Sequence, residues 1–358
     1  MPKFTQFLRR LAFAGMTVQL SWIASAAHAQ VANSSVKKFY AGRTVNVMIS
    51  SSTGGGYDLY ARLVAKYMGN YIPGHPGFVP QNRPGAAGIN LLNWAYNQGQ
   101  RDGSMFFTLH VFLPVQQAIG GQSVRYDIGQ LVSIGRVSAG NALTGAWHTV
   151  GIETIADVRK NTLIVGATNP SSNSAIFPTI ANKLLGAKFK VITGYKGGDE
   201  VMLAMERGEL QGFGSFGVES LKSSRPEYLT QRLIRPTVQW GLRRDRDWPD
   251  VPLASELTSD ELDRQGIELI SAQMDVGRSY YLPPGVPSER VQTLRDAFRA
   301  TVEDQRFRSD AEKIRLNVAY ASGEEMQKII SDILTVSPRV VERLRQNLGE
   351  MLDAMGSD

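Results

Sequence analysis

The sequence of 358 residues lacks cysteine altogether and has only four histidines. The absence of cysteine excludes thiol catalysis, disulfide bonds and metal sites with thiolate ligands. The histidines are His28, His75, His110 and His148, and none is spaced with another histidine or an acidic residue as a metal site requires. We predict no metal site. His110, at the end of a predicted strand, is either a ligand contact or an ordinary polar residue.

The sequence also lacks a basic stripe interleaved with aromatic residues, and its formal net charge is a mild +6. We therefore predict no nucleic-acid partner. Its longest apolar run, residues 11–24, is short for a membrane span. Basic residues precede this run and the small residues Ala27 and Ala29 follow it, which is the pattern of a secretory signal peptide. We expect residues 1–29 to be cleaved near Ala29 and the mature protein to reside in the periplasm.

A glycine-rich turn over residues 50–58 is the most informative stretch of the chain. Residues 44–49 before it alternate as a buried strand does, and Leu59, Leu63 and Tyr67 after it recur at helical spacing. The glycines allow a ligand to approach the backbone closely, and the first N–H groups of the helix point into the turn. We predict a small anion there, the alternative being a purely structural turn.

The residues that follow the glycines disfavour a nucleotide. A phosphate-binding loop would need a lysine after the last glycine, whereas Tyr57 and Asp58 follow here. Asp58 falls in the first helical turn, where a carboxylate complements the helix dipole. Residues 212–217 match G-x-G-x-x-G literally, but no acidic residue follows at the distance that a dinucleotide site requires. The sequence therefore favours a carboxylate ligand and no cofactor.

Similar turns recur along the chain. Residues 83–88 open a second helix, and the polar turn 168–174 follows a strand predicted at 162–167. Two further turns, 194–199 and 214–217, follow later predicted strands. This alternation of strands and helices predicts parallel sheets with a ligand at the carboxyl ends of the strands. We expect two lobes whose turns face each other across a cleft, with the C-terminal helices packed around the first lobe.

Several polar residues have two interpretations. The cluster Ser171 to Ser174 either binds the ligand or satisfies its own turn. Tyr195 either offers its phenol to the cleft or packs between the lobes. Ser215 does not lie in a nucleophile elbow, because Phe213 occupies the place of the first glycine. No nucleophile, base and orienting group stand at a recognisable spacing, so reversible binding is favoured over catalysis.

The mature chain resembles the substrate-binding proteins of tripartite tricarboxylate transporters, the Bug or TctC family of bacterial periplasmic receptors. The resemblance runs from about Tyr40 to Leu344. The segments that carry it include Tyr40-Ala41-Gly42-Arg43, Gly54-Gly55-Gly56-Tyr57-Asp58, Asn82-Arg83-Pro84-Gly85-Ala86-Ala87-Gly88, Tyr195-Lys196-Gly197-Gly198 and Pro283-Pro284-Gly285-Val286-Pro287.

This resemblance implies an α/β fold of the two-lobed periplasmic-binding-protein type II class, each lobe a mostly parallel sheet flanked by helices. It places lobe 1 at 40–138 plus 241–358 and lobe 2 at 139–240. It implies a receptor, not an enzyme, that closes on a small carboxylate and delivers it to the permease subunits of the membrane transporter. The implied ligand-binding residues are Thr53, Gly54, Gly55, Gly56, Tyr57, Asp58, Ala86, Ala87, Gly88 and His110 from lobe 1, and Ser171, Ser172, Asn173, Ser174, Tyr195 and Ser215 from lobe 2.

The chain also departs from the family pattern. Tyr57 is bulky, so we expect it to narrow the pocket or to stack on a ring of the ligand. Ser215 stands where many relatives have an acidic residue, so recognition of an amino group is not implied. Two other functions stay open at this point: a ligand-presenting sensor protein for a two-component kinase, and a periplasmic hydrolase that uses Ser215 or Ser171.

Overall fold

The computed structural model describes residues 34–120, 124–170 and 172–354. The predicted signal peptide and Ser171 lie outside these ranges. Within them, no helix combines the length and the apolar character that a membrane crossing requires.

The described chain forms two β-sheets flanked by helices. The strands are β1 (Thr44–Ile49), β2 (Gly77–Asn82), β3 (Met105–Thr108), β4 (Val132–Arg136), β5 (Ala142–Trp147), β6 (Leu163–Gly166), β7 (Phe189–Ile192), β8 (Gly212–Gly217), β9 (Ile234–Trp240), β10 (Ser279–Leu282) and β11 (Ala321–Ser322). The helices are α1 (34–40), α2 (Gly56–Met68), α3 (Ile89–Gln98), α4 (Leu113–Ala118), α5 (Ile155–Lys160), α6 (Asn173–Leu185), α7 (Gly198–Glu206), α8 (Val218–Ser224), α9 (Pro226–Thr230), α10 (Glu261–Ser271), α11 (Gln273–Val276), α12 (Ser288–Glu303), α13 (Gln305–Lys313), α14 (Gly323–Leu334) and α15 (Pro338–Ala354).

Both sheets are mixed, which corrects the prediction that they are mostly parallel. The first has the strand order β11-β4-β10-β3-β1-β2, and the second has the order β7-β6-β8-β5-β9. In the first sheet β1 is parallel to β2 and β3, whereas β10 returns from late in the chain and inserts antiparallel between β3 and β4. In the second sheet β6 is parallel to β7 and β8, whereas β5 is antiparallel to β8 and β9.

The first β-α unit forms as its pattern predicts, with one difference. Val45, Val47 and Ile49 of β1 are fully buried, and α2 buries Leu63 and Tyr67. Leu59, which the helical spacing assigned to the same buried stripe, is instead 39% exposed. Tyr60, one residue further along α2, is buried in its place. The first turn of α2 therefore presents Leu59 away from the core.

The chain passes between the two sheets at β4–β5 and again after β9, and the two passages touch. The Asn141 side chain donates from Nδ2 to Gln239 Oε1 at 2.7 Å and to the carbonyl of Arg243 at 2.7 Å. The Tyr60 hydroxyl donates to Ser138 Oγ at 3.1 Å and to the Asn317 carbonyl at 2.7 Å. The two crossings between the sheets are thus adjacent and tied to each other by side-chain hydrogen bonds.

Two further predictions need correction. Residues 214–217 were expected to form a turn, but they continue β8, because pairing with β5 resumes at Phe216 and Gly217 after a register shift. Phe213 and Phe216 stack with ring centroids 4.7 Å apart. The C-terminal helices do not pack around the first sheet alone. Helices α12 and α14 contact β4, but α15 also contacts α6, which flanks the second sheet.

Gly214 is required where α6 crosses β8. A Cβ at this position would lie 1.7 Å from the carbonyl oxygen of Ser174 and 2.8 Å from its carbonyl carbon. Both atoms are backbone, so a side chain is accommodated only if α6 moves away from the sheet.

We expect Gly214→Ala to lower the free energy of unfolding by roughly 1–3 kcal/mol or more, because overpacking at a backbone contact forces a main-chain shift. Urea unfolding followed by circular dichroism measures this change. Gly77→Ala is the matched control, since its added Cβ meets no atom within 4 Å. Equal stability of the two variants would contradict the proposed close approach.

Candidate functional site

A cleft with a volume of about 570 Å³ lies between the two sheets. One wall comes from the start of α2, the segment after β3, helix α4 and the start of β10. The other wall comes from the start of α6, from β8 and from α8. Because both sheets contribute, a molecule in this cleft would contact both walls.

The cleft brings together part of the predicted set. The predicted residues that line it are Gly56, Tyr57, Ala86, His110, Ser172, Asn173 and Ser215. Those that lie elsewhere are Thr53, Gly54, Gly55, Asp58, Gly88, Ser174 and Tyr195. Ala87 belongs to the short 3-10 turn at 86–88, but its side chain and Ser171 fall outside what the structure describes.

The glycine turn is partly satisfied from within the chain. The Gly54 N–H donates to Asp58 Oδ2 at 2.9 Å, and Asn82 Nδ2 donates to Asp58 Oδ1 at 2.8 Å. Arg62 Nε also donates to Asp58 Oδ1, at 2.9 Å. Burial opposes ionisation of Asp58, but these hydrogen bonds outweigh it and lower the pKa of the carboxyl group. The Asp58 carboxylate is therefore held within this turn, and Thr53 is exposed beside it, within 3.4 Å of Asn82 Oδ1.

Arg278 is the principal charged group of the cleft, and sequence reasoning missed it. Its guanidinium lies over the ring of Tyr57, 4.3 Å from the centroid. Among the described residues, no carboxylate lies within the 4.0 Å of an ion pair with it. A Cβ on Gly56 would lie 3.4 Å from Arg278 Nη2, so the glycine leaves room for this arrangement. An arginine without a carboxylate partner offers its donors to an anionic ligand.

The backbone of Arg278 is anchored at the crossing between the sheets. Its N–H donates to the Ser138 carbonyl at 2.7 Å, and its own carbonyl accepts from the Val137 N–H at 3.0 Å. The preceding Gly277 has φ +54°, and a Cβ there would lie 2.2 Å from the oxygen of Ser138. Only glycine allows this close approach. The backbone of Arg278 is thus fixed at the crossing between the two sheets.

Two buried polar atoms of side chains that line the cleft have no hydrogen-bond partner in the described part of the chain. They are His110 Nδ1 and Gln116 Nε2. Burial, together with the positive charge of Arg278, lowers the pKa of His110 to about 4. His110 is therefore neutral at pH 7. Unsatisfied buried polar groups are costly, so these two favour a ligand that hydrogen-bonds with them.

Tyr57 is part of the wall rather than a free ring. Its hydroxyl accepts from the Val111 N–H at 3.0 Å, and the ring centroid of His110 is 5.7 Å away. Burial raises the pKa of Tyr57, and Arg278 opposes that rise. Because Arg278 covers a ring face, the expectation that Tyr57 stacks on a ring of the ligand is not supported. Its bulk instead narrows the cleft. Gly88 lies behind this wall, where a Cβ would be 3.1 Å from that of His110.

The second wall offers neutral groups. Ser172 Oγ donates to the Asn169 carbonyl at 2.7 Å and shares a 2.7 Å hydrogen bond with Ser174 Oγ. Ser174 also accepts from the Thr168 N–H at 3.2 Å, so it serves the turn. Tyr195 packs against the small apolar cluster of the second sheet and not into the cleft.

Glu219 is the third functional residue that sequence reasoning missed, after Arg278 and Gln116. It lies in the first turn of α8 and lines the cleft opposite Tyr60. Burial raises its pKa, Lys222 lowers it, and Asp245 and Asp247 add to the rise. The sequence around these three residues contains no local motif that predicts a place in the cleft.

We expect NMR titration of the histidine ring protons to show His110 protonating near pH 4, because burial and Arg278 disfavour the imidazolium. Between about pH 4 and 6.5 the unfolded chain binds more protons at this residue, so its contribution to stability falls as the pH falls through that window. Arg278→Gln should raise the pH midpoint of this titration. Loss of the signal in His110→Asn assigns it to the His110 ring. An unchanged midpoint in Arg278→Gln would show that the two groups do not interact.

No protein-family model matches the chain, and no curated protein matches it. Solved structures do match. A TctC solute-binding protein from Polaromonas shares 19% identity at a TM-score of 0.64, covering 85% of this chain and 100% of that one. The periplasmic binding protein BugD shares 19% sequence identity at a TM-score of 0.59, and the match covers 86% of this chain and 98% of BugD. A protein from R. palustris, solved with adipate, shares 17% sequence identity at a TM-score of 0.60, and the match covers 86% of this chain and 98% of that protein. The chain therefore has the two-lobed fold of these periplasmic solute-binding proteins.

Proposed function

We propose that the chain is an extracytoplasmic receptor that binds a small carboxylate between its lobes and delivers it to the permease subunits of a tripartite tricarboxylate-type transporter. The observation that carries this proposal is the Arg278 guanidinium, which faces the cleft with no carboxylate partner among the described residues. The neutral donors of His110 and Gln116 beside it complete an anion site on one wall.

The solved relatives support the ligand class. The R. palustris structure contains adipate, and MatC from Rhodopseudomonas palustris, which shares 17% identity at a TM-score of 0.57, contains malate. The match covers 84% of this chain and 99% of MatC. The basic and apolar start of the sequence supports export to the periplasm, with cleavage near Ala29. The lobes then comprise 40–138 plus 241–358 and 139–240.

Contacts from both walls are needed for a receptor that closes. A ligand stabilises the closed state only by the interactions that it makes there and not in the open state. Arg278 and His110 would hold the carboxylate from the first lobe. Ser172, Asn173 and Ser215 would contact the ligand from the second, as the predicted residues that do line the cleft.

Binding is favoured over hydrolysis. Ser215 is half-buried within β8, and neither it nor Ser172 is hydrogen-bonded to a histidine. His110, the histidine that lines the cleft, is on the opposite wall and lies against Tyr57. A serine nucleophile needs an adjacent base, so these hydroxyls suit ligand contacts better than acyl transfer.

We expect Arg278→Gln to weaken binding of the cognate carboxylate by roughly 10- to 100-fold, the equivalent of one charge-assisted hydrogen-bonded contact. The ligand is first identified by a thermal-shift screen of the ligand-stripped mature protein against small organic acids, and its affinity is then measured by calorimetry. At 100 times its Kd, a true ligand stabilises the fold by about 2.7 kcal/mol.

Arg299→Gln is the matched control, because Arg299 lies on α12, is exposed and pairs with Asp296. It should bind like the wild type. The proposal fails if no acid stabilises the wild-type protein, or if Arg278→Gln binds the acid as tightly as the control does.

A further inference from the structure

The charged side chains of the cleft leave a single net positive charge. Among the described residues, those that line it are Arg278, Arg315 and Glu219, and His110 is neutral. Arg315 is exposed, has an interaction of its own and contributes its charge to the cleft. A ligand with one negative charge balances this set, whereas a ligand with two leaves an excess of negative charge.

Glu219 is held in place on the second wall. The added Cβ of a side chain at Gly140 would lie 2.8 Å from Glu219 Cγ, so the stem of the glutamate rests on the crossing between the lobes. The ion pair between Glu219 and Lys222 is long, with Lys222 Nζ 3.5 Å from Glu219 Oε1. The same nitrogen lies only 2.6 Å from Asp247 Oδ2. Most of the charge of Lys222 is therefore engaged by Asp247.

Glu219 and Arg278 act on the same part of the cleft. Both influence the hydroxyl of Tyr60, where Glu219 favours the protonated phenol and Arg278 opposes it. Tyr60 is itself fixed by its hydrogen bond to Ser138, at the crossing that also anchors Arg278. A ligand carboxylate bound by Arg278 thus lies in a cleft whose other wall carries the carboxylate of Glu219.

The neutral lining is of two kinds, with polar groups such as Ser172, Asn173 and Ser215 on the second wall and apolar side chains on the first. The apolar side chains include Leu59, Ile89, Phe112, Leu113, Met274 and Leu316. Leu59 departs from the buried stripe of α2 and is exposed in the structure. Burying such surface against a ligand is favourable only if the ligand is apolar there.

On the basis of the proposed function, we infer that the ligand is a monocarboxylate with an apolar body, and that Glu219 excludes a second carboxylate. Arg278 binds the one carboxylate that the ligand carries. The apolar side chains cover its body, and like-charge repulsion from Glu219 discriminates against a diacid of the same length.

The test compares acids that differ only by a second carboxylate: butyrate with succinate, hexanoate with adipate, and benzoate with terephthalate. Calorimetry at about pH 8 keeps Glu219 ionised in spite of its raised pKa. We expect the monocarboxylate of the pair that fits best to bind wild-type protein about 10-fold or more tightly than its diacid. Glu219→Gln should strengthen binding of that diacid about 10-fold and leave the monocarboxylate within about 3-fold.

Glu227→Gln is the matched control, since Glu227 lies on α9, outside the cleft, and pairs with Arg225. It should retain the wild-type preference. The inference is overturned if a diacid binds wild-type protein as tightly as its partner, or if Glu219→Gln keeps the full preference. Either result leaves the receptor function intact. If no acid of either kind binds, the receptor function itself fails.

Discussion

An arginine that lacks a carboxylate partner, fixed where the chain crosses between its two sheets, is the constraint on which the site depends. A partly buried charge is costly unless another group compensates for it. For Arg278 the described chain supplies the face of Tyr57, a contact worth only about 0.5–2 kcal/mol. The nearest acid of the glycine turn, Asp58, is committed to Arg62 and to the turn itself. The compensation that the fold leaves open is an external anion.

The position of this arginine links binding to the relative movement of the lobes. Its backbone is hydrogen-bonded to Ser138 and Val137, which lead from the first sheet into the second. Asn141, two residues beyond Ala139, ties that passage to the returning chain at Gln239. In the proposed receptor, a ligand on Arg278 would sit at this crossing, and a rotation of the lobes about it would bring Ser172 and Ser215 towards the ligand. Closure can then be driven by a few neutral contacts from the second lobe, added to an anion contact that exists in the open state.

Local sequence patterns predicted several residues that line the cleft, but not the charged residue Arg278. The strand–turn–helix signal put Gly56 and Tyr57 at the end of β1, and the strand of β3 put His110 beside them, as the cleft shows. The resemblance assigned Gly54 and Asp58 to the ligand, and sequence alone does not show that the Asp58 carboxylate accepts a hydrogen bond from the Gly54 amide. Arg278 directly precedes β10, a strand that inserts between β3 and β4 from far along the chain. Its role depends on that tertiary pairing, which has no local signature. The antiparallel strands β5 and β10 were missed for the same reason, since their partners are distant in sequence.

The electrostatics of the open and closed cleft explain how one movement can provide both affinity and selectivity. In the open state, water screens the interaction of a ligand carboxylate with Arg278 and with Glu219 alike. Closure removes water, and both interactions strengthen as the effective dielectric constant falls. For a monocarboxylate the attraction to Arg278 grows while its apolar body is buried against Leu59 and its neighbours. For a diacid the same closure also increases the repulsion from Glu219, so the closed state gains less. In the proposed receptor, selection would thus be made at the closing step, and a molecule could occupy the open site without stabilising the closed form.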